Sequence, residues 1–113
     1  MSLPILCLDF DGVIHDYRKG WQDGSIYGEL TDGFALWAEI ARKYFKLVVH
    51  SSRCSEPEGL AAVQQWLADR GLDWLEVSPT KPPAFLTIDD RALLFSGRWD
   101  HFNPAMLRNF RPW

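Results

Sequence analysis

Three short stretches of the chain are almost continuously apolar, namely residues 3–8, 47–49 and 85–88. Strands of this kind are typical of a sheet that is covered on both faces, because every side chain then packs against a helix rather than facing water. We therefore predict three interior strands that belong to one sheet.

The segment between the first two strands, residues 31–45, has the pattern of an amphipathic helix. Its apolar residues recur at helical spacing, and Glu39, Arg42 and Lys43 fall on the opposite side. The apolar residues are Phe34, Trp37, Ala38, Ala41 and Tyr44. Thr31 has the side chain of an N-cap residue, and we expect the helix to begin directly after it.

A second helix is predicted over residues 55–71, after the second strand. Ser55 is the expected N-cap, Pro57 fits the first turn, and Gly71 stands where a left-handed residue ends a helix. The apolar stripe is formed by Leu60, Val63 and Leu67.

The remaining elements are shorter. Residues 74–77 predict a weaker strand, and Asn103 followed by Pro104 predicts a terminal helix that ends near Arg108. Strands that alternate with helices indicate a mainly parallel sheet, and we expect a Rossmann-like, three-layer α/β/α fold. The Pro-rich residues 78–84 conflict with this pattern, because a parallel crossover usually needs about a dozen residues or more.

Length and charge restrict the class of protein. A chain of 113 residues is sufficient for one core, so we predict a single domain over residues 1–113. A net charge of -3 provides no long-range attraction for nucleic acid or anionic membranes. No apolar run is long enough to span a bilayer, and the two cysteines are too few for a disulfide framework. These features predict a cytoplasmic protein with no membrane partner and with spectator thiols at Cys7 and Cys54.

Polar residues follow the predicted strands at the point where each strand ends. Asp9 follows the first strand, residues 50–53 (His-Ser-Ser-Arg) follow the second, and Asp89 and Asp90 follow the third. Lys81 comes shortly before the third strand. Because the carboxyl ends of parallel strands meet at one edge of a sheet, we expect these groups to converge there.

Clustered carboxylates without neighbouring histidine or cysteine ligands favour a hard cation such as Mg²⁺. Mg²⁺ commonly completes its shell with water and with substrate phosphate oxygens. The convergent residues therefore predict a magnesium cofactor and a phosphorylated substrate, with Ser51 and Lys81 placed to neutralise phosphate charge.

The motifs resemble those of the haloacid dehalogenase (HAD) superfamily of phosphotransferases, in the same order along residues 3–92. The motif of a strand followed by Asp-x-Asp-Gly is matched by "LCLDFDGV", and the motif of a strand followed by paired acids by "FLTIDDRA". The serine motif is matched by "KLVVHSSR" and the lysine motif by "PTKPP". The resemblance implies a HAD-like core without a cap domain, in which residues 12–30 form only a flap.

The resemblance also implies a mechanism. Asp9 is the expected nucleophile that forms an aspartyl-phosphate, and Asp11 is the expected general acid and base. Catalytic roles are likewise implied for Ser51 and Lys81. The implied phosphate-binding residues are Phe10, Gly12, Ser51, Ser52, Arg53 and Lys81. The implied Mg²⁺ ligands are Asp9, Asp11 through its carbonyl, and one or both of Asp89 and Asp90.

Other features of the sequence leave alternatives open. Tyr17 and Trp21 are expected to pin the flap to the body of the domain, and His15 is a minor candidate for an additional acid or base. The tail "LRNFRPW", residues 107–113, has a composition that could stack on single-stranded nucleic acid. Nucleic acid is therefore a possible but disfavoured partner, and a homo-oligomer is also compatible with the sequence.

A Mg²⁺-dependent phosphomonoesterase is the leading hypothesis. The alternatives are a non-catalytic module that binds Mg²⁺ and phosphate, and a phosphatase specific for polynucleotide ends. A response-regulator receiver domain is a further alternative, but in receivers the acceptor aspartate follows a middle strand, whereas here the early acids are Asp9 and Asp11.

Overall fold

The computed structural model describes residues 2–112 and contains one sheet of four parallel strands. The strands are β1 (Ile5–Leu8), β2 (Lys46–Val49), β3 (Glu76–Val77) and β4 (Leu86–Ile88). Their order across the sheet is β3-β2-β1-β4. The predicted α/β fold with a parallel sheet is confirmed, and all four predicted strands are present.

Three α-helices accompany the sheet: α1 (Phe34–Ala41), α2 (Pro57–Ala68) and α3 (Pro104–Arg108). Two short 3₁₀ helices cover Ser52–Ser55 and Trp99–His101. The cap of α3 is the predicted one, because the side chain of Asn103 accepts a hydrogen bond from the Met106 N–H. Gly71 has a φ of 74° just beyond α2, as predicted. In the tail, Trp113 lies outside the described residues.

Two predicted N-caps are wrong. The residue that precedes α1 is Gly33, and the Thr31 hydroxyl instead donates to the Val13 carbonyl in the flap. The residue that precedes α2 is Glu56, because Ser55 belongs to the preceding 3₁₀ helix and donates to the Ser52 carbonyl. In both places the hydroxyl donates to a backbone carbonyl earlier in the chain rather than accepting a hydrogen bond from an N–H at the start of the helix.

The core lies between one face of the sheet and two helices. Leu6, Leu8, Leu47, Val49 and Val77 pack in one cluster with buried residues of α1 and α2. The buried helix residues are Phe34, Ala38, Ala41, Val63, Trp66 and Leu67. Both helices therefore cover the same face.

On the opposite face of the sheet, Cys7 and Val48 are also buried. Burial raises the pKa of the Cys7 thiol, and it likewise raises the pKa of Cys54, which is buried beside α2. A raised pKa disfavours the reactive thiolate, so both residues behave as packed apolar side chains.

The prediction that residues 85–88 form an interior strand is wrong. β4 is at the edge of the sheet and pairs with β1 alone. Phe85, Leu86 and Ile88 are 68%, 56% and 41% exposed. A continuously apolar strand is buried on both faces only if other elements of the fold pack over it. The sequence of the strand itself does not determine whether they do.

The Pro-rich connection of residues 78–84 is short for a crossover, yet the strand that follows it pairs in parallel with β1. It joins β3 at one edge of the sheet to β4 at the other edge without a helix. Residues 78–84 therefore form an extended crossover. The next residue, Phe85, donates its N–H to the Ile5 carbonyl and so begins the pairing with β1.

Residues 12–30 form a loop whose two ends are tied together. Asp16 donates its N–H to the Glu29 carbonyl, and the Thr31 N–H bonds the Ile14 carbonyl. Ile14 and Tyr17 are buried, so Tyr17 pins the flap as predicted, whereas Trp21 is 70% exposed and does not. Within residues 2–112, the structure has no helix long and apolar enough to cross a bilayer.

Candidate functional site

Three carboxylates meet at the carboxyl end of the sheet. The register of β1 and β4 pairs Leu8 with Ile88, so Asp9 and Asp89 leave the sheet side by side. The Asp9 N–H donates to the Ile88 carbonyl at 3.0 Å and continues this pairing. One side-chain oxygen each from Asp9, Asp89 and Asp90 lies within 4.8 Å of the other two. We call these three residues the acid cluster.

The surroundings of Asp9 in the acid cluster change its pKa. Its pKa is raised to about 7, first by burial and then by the negative charges of Asp89, Asp90 and Asp11. A backbone hydrogen bond at Phe10 opposes this rise only in part. Without a compensating cation, Asp9 therefore resists ionisation near neutral pH.

The acid cluster fits a hard divalent cation. Its donors are all carboxylate oxygens, which Mg²⁺ and Ca²⁺ prefer over nitrogen or sulfur. The oxygens are close enough to share one ion. Burial and then the neighbouring negative charges raise the pKa of Asp9, and such an ion would offset those charges. The donor set suits either of these two hard ions.

A cleft of about 350 Å³ lies beside the acid cluster. Five of its lining residues are predicted site residues: Asp9, Ser51, Ser52, Lys81 and Asp89. Lys81 thus reaches the cleft although its connection is short. His50 and Arg91 also line the cleft and were not among the predicted site residues. The signal for Arg91 was present in the sequence, since it directly follows the two acids.

Ser51 is held at the cleft by the turn that follows β2. It is 4% exposed and its extended backbone precedes the 3₁₀ helix Ser52–Ser55. Its side-chain oxygen accepts a hydrogen bond from the Arg53 N–H at 3.2 Å, and its carbonyl accepts one from Cys54. Ser51, the second residue after β2, is therefore fixed by local hydrogen bonds.

Gly59 in α2 allows this turn to pack closely against the helix. An added Cβ at Gly59 would collide with the backbone carbonyl of Arg53. We therefore expect Gly59→Ala to destabilise the protein by about 2 kcal/mol through overpacking, although alanine normally stabilises a helix interior by ~1 kcal/mol. Thermal denaturation should show a melting temperature lower by roughly 10 °C. Gln64→Ala, at an exposed position of α2, is the matched control, and a stabilised Gly59→Ala protein would contradict the close packing.

Asp11 has different partners from the acid cluster. Among the described residues, the carboxylates close enough to bind one ion together are those of Asp9, Asp89 and Asp90, and the Asp11 carboxylate is not in this group. One oxygen, Oδ1, is 2.8 Å from His15 Nδ1, and the other, Oδ2, accepts a hydrogen bond from Arg53 Nε at 2.7 Å. The sequence did not reveal this network, because His15 and Arg53 are far apart in the chain.

These partners determine the ionisation of Asp11. Burial acts to raise its pKa, but the hydrogen bonds from His15 and Arg53, together with the positive charge of Arg53, lower the pKa below its usual value. The two aspartates of the "DFD" motif therefore differ: the pKa of Asp9 is raised and that of Asp11 is lowered.

Phe10 and Gly12 shape the turn after β1. Phe10 has a fully buried side chain, and its carbonyl accepts hydrogen bonds from the N–H groups of residues 13–15. Gly12 has a φ of 85°, which confirms the expected sharp turn. Its N–H donates to the His15 carbonyl and is thus already used within the turn.

Comparisons with known protein families, with curated proteins and with solved structures find no match to the chain. Any function inferred for the chain therefore depends on the residues of the site itself.

Proposed function

We propose that the protein is a Mg²⁺-dependent phosphomonoesterase of the haloacid dehalogenase type. The observation that carries the proposal is the acid cluster, in which Asp9 at the end of β1 meets Asp89 and Asp90 at the end of β4. Ser51 and Lys81 line the same cleft. An anionic pocket that also contains a lysine and a buried hydroxyl suits a phosphoryl group held beside a cation.

In the proposed reaction, a carboxylate oxygen of Asp9 attacks phosphorus and the bond from phosphorus to the leaving oxygen breaks. The products are an aspartyl-phosphate and an alcohol, whose oxygen takes a proton from Asp11. Water then attacks phosphorus, Asp11 accepts its proton, and inorganic phosphate leaves as the Asp9 carboxylate is restored.

The lowered pKa of Asp11 suits the second half of this cycle, because an ionised carboxylate can accept the proton of water. The first half requires a protonated Asp11. In the structure, Arg53 donates a hydrogen bond to Oδ2 of Asp11. Arg53 directly follows the cleft residue Ser52 in the chain, and a phosphate bound in the cleft would compete for its guanidinium. Loss of that bond would make it easier for Asp11 to take up a proton.

The other lining residues neutralise and orient the substrate. Lys81 and Arg91 supply positive charge at the cleft, and Ser51 supplies a hydroxyl to the phosphoryl oxygens. Mg²⁺ held by Asp9, Asp89 and Asp90 would withdraw electron density from the phosphoryl oxygens when bound.

We infer a Rossmann-like, three-layer arrangement without a cap domain, in a cytoplasmic protein. Burial of Cys7 and Val48 on the face opposite α1 and α2 supports cover on both sides of the central strands. The flap, rather than a separate domain, would then limit access of water to the cleft.

The proposal is tested by phosphate release from p-nitrophenyl phosphate, nucleotides, sugar phosphates, phosphopeptides and oligonucleotides phosphorylated at the 3′ or 5′ end. We expect turnover that requires Mg²⁺ and stops when the ion is chelated. Binding of a phosphate analogue without turnover of any substrate would favour the non-catalytic module. A phosphoprotein that persists for minutes after treatment with acetyl phosphate would favour the receiver domain, and selective turnover of oligonucleotides would identify the polynucleotide-end phosphatase.

A further inference from the structure

His15 is the one fully buried histidine in the part of the chain that the structure describes, and both of its ring nitrogens have partners. Nε2 accepts a hydrogen bond from the Gly28 N–H at 2.8 Å. A nitrogen that accepts a hydrogen bond carries no proton, so the ring is neutral and its proton is on Nδ1. Nδ1–H is therefore the donor in the 2.8 Å contact with Asp11 Oδ1.

Aromatic rings hold the His15 imidazole in place. Phe10 stacks on it with ring centroids 5.4 Å apart, and Tyr27 and Trp66 meet it edge to face at 5.1 and 5.5 Å. Tyr17 packs at 5.8 Å. The imidazole therefore has little freedom to rotate, and its Nδ1–H has a fixed direction.

Arg53 holds the second oxygen of Asp11 and also reaches the flap. Its Nε donates to Oδ2 at 2.7 Å, and its Nη1 donates to the Gly24 carbonyl at 2.6 Å. Since His15 bonds Gly28 and Arg53 bonds Gly24, both partners of Asp11 also hold the backbone of the flap. The position of the flap and the orientation of the Asp11 carboxylate are thus physically linked.

We propose that His15 is a positioning residue for Asp11, and that its neutral Nδ1–H tautomer, imposed by the Gly28 N–H, aims the carboxylate while the flap is in place. The catalytic part of this inference depends on the proposed phosphatase function. The orientation of Asp11 by His15 does not depend on it.

Two substitutions separate the two hydrogen bonds of His15. Asparagine can place its amide N–H near the position of Nδ1, whereas glutamine can place its amide oxygen near the position of Nε2. His15→Asn therefore keeps the donor to Asp11, and His15→Gln keeps the acceptor for Gly28. We expect His15→Gln to lower kcat by about 100-fold with little change in KM, and His15→Asn to remain within about 10-fold of wild type.

Thermal denaturation of both variants controls for stability. A purely structural role would make activity follow the folded fraction in both proteins. Equal loss of kcat in the two variants at equal folded fraction would overturn the catalytic part of the proposal. If the wild type releases phosphate from no substrate, the phosphatase function itself has failed, and the spectroscopic measurement decides the role of His15.

That measurement is a long-range ¹H–¹⁵N correlation spectrum of the whole 113-residue chain, in which protonated and unprotonated ring nitrogens are well separated. The chain has three histidines, and the signals missing from the His15→Gln spectrum identify His15. We expect the proton on Nδ1, and a shift of this nitrogen in Asp11→Ala. A proton on Nε2, or no response to Asp11→Ala, would overturn the orientation of Asp11 by His15.

Discussion

Asp9→Asn will lower Mg²⁺-dependent phosphate release by about 10⁴-fold or more, because the amide cannot form the aspartyl-phosphate. The substitution keeps the size of the side chain and removes its negative charge, and saturating Mg²⁺ compensates for the weaker binding of the ion. The measurement is phosphate release from p-nitrophenyl phosphate at saturating Mg²⁺, with wild-type protein prepared in parallel. The loss should appear in kcat, since Lys81 and Ser51 remain in place to bind phosphate.

Asp69→Asn is the matched control, because it makes the same chemical change at the far end of α2. Its side chain is exposed and accepts a hydrogen bond from Gln65. We expect it to retain wild-type activity. Equal turnover by wild type and Asp9→Asn would show that the activity does not come from Asp9 and would remove the basis for the proposed mechanism.

The same substitution has a second large effect, on stability. In the absence of divalent ions, we expect Asp9→Asn to melt at a higher temperature than the wild type at pH 8. The reason is that burial and the neighbouring acids raise the pKa of Asp9 from 3.8 to about 7, so its ionisation opposes folding. Asparagine removes the charge from the acid cluster.

The pH dependence has a defined sign. A carboxyl group whose folded pKa lies above its unfolded value lowers the stability as pH rises between the two values. Wild-type stability should therefore fall relative to Asp9→Asn from about pH 4 to pH 7 and then level off. The full pKa shift of Asp9 corresponds to ~4 kcal/mol in the free energy of unfolding. Solvent screening at this partly exposed site reduces the effect to about 2 kcal/mol, or roughly 10 °C in melting temperature.

Differential scanning fluorimetry at pH 5, 6, 7 and 8 with a chelator measures this difference, and Asp69→Asn again serves as control. Added Mg²⁺ should stabilise the wild type more than Asp9→Asn and so reduce or reverse the gap, because a ligand of the native state stabilises it by mass action. A melting-temperature difference that is independent of both pH and Mg²⁺ would contradict the electrostatic origin of the effect.

The sheet and the acid cluster could be predicted from local patterns. Apolar runs marked the positions of β1, β2 and β4, and acids directly after β1 and β4 were brought together by parallel pairing. Such predictions succeed because the position of a side chain just beyond a strand follows from the strand itself.

The surroundings of Asp11 could not be predicted in the same way. His15, Arg53 and the Gly28 N–H come from separate turns, whose approach depends on how the flap folds over the body. The exposure of β4 is a second case, since it depends on which elements cover an edge. The wrong N-caps at Thr31 and Ser55 have a similar cause, because each hydroxyl bonds a backbone carbonyl that lies outside the predicted helix.

The order of the strands also affects how the chain reaches its native state. Leu6 in β1 pairs with Leu86 in β4, and Asp9 precedes Asp89 and Asp90 in the chain by about 80 residues. Contacts between residues so distant in sequence form slowly, because a long loop must close before any pairing energy is gained. During translation, β1 therefore leaves the ribosome long before its β4 partner, and the acid cluster can assemble only after β4 has joined the sheet.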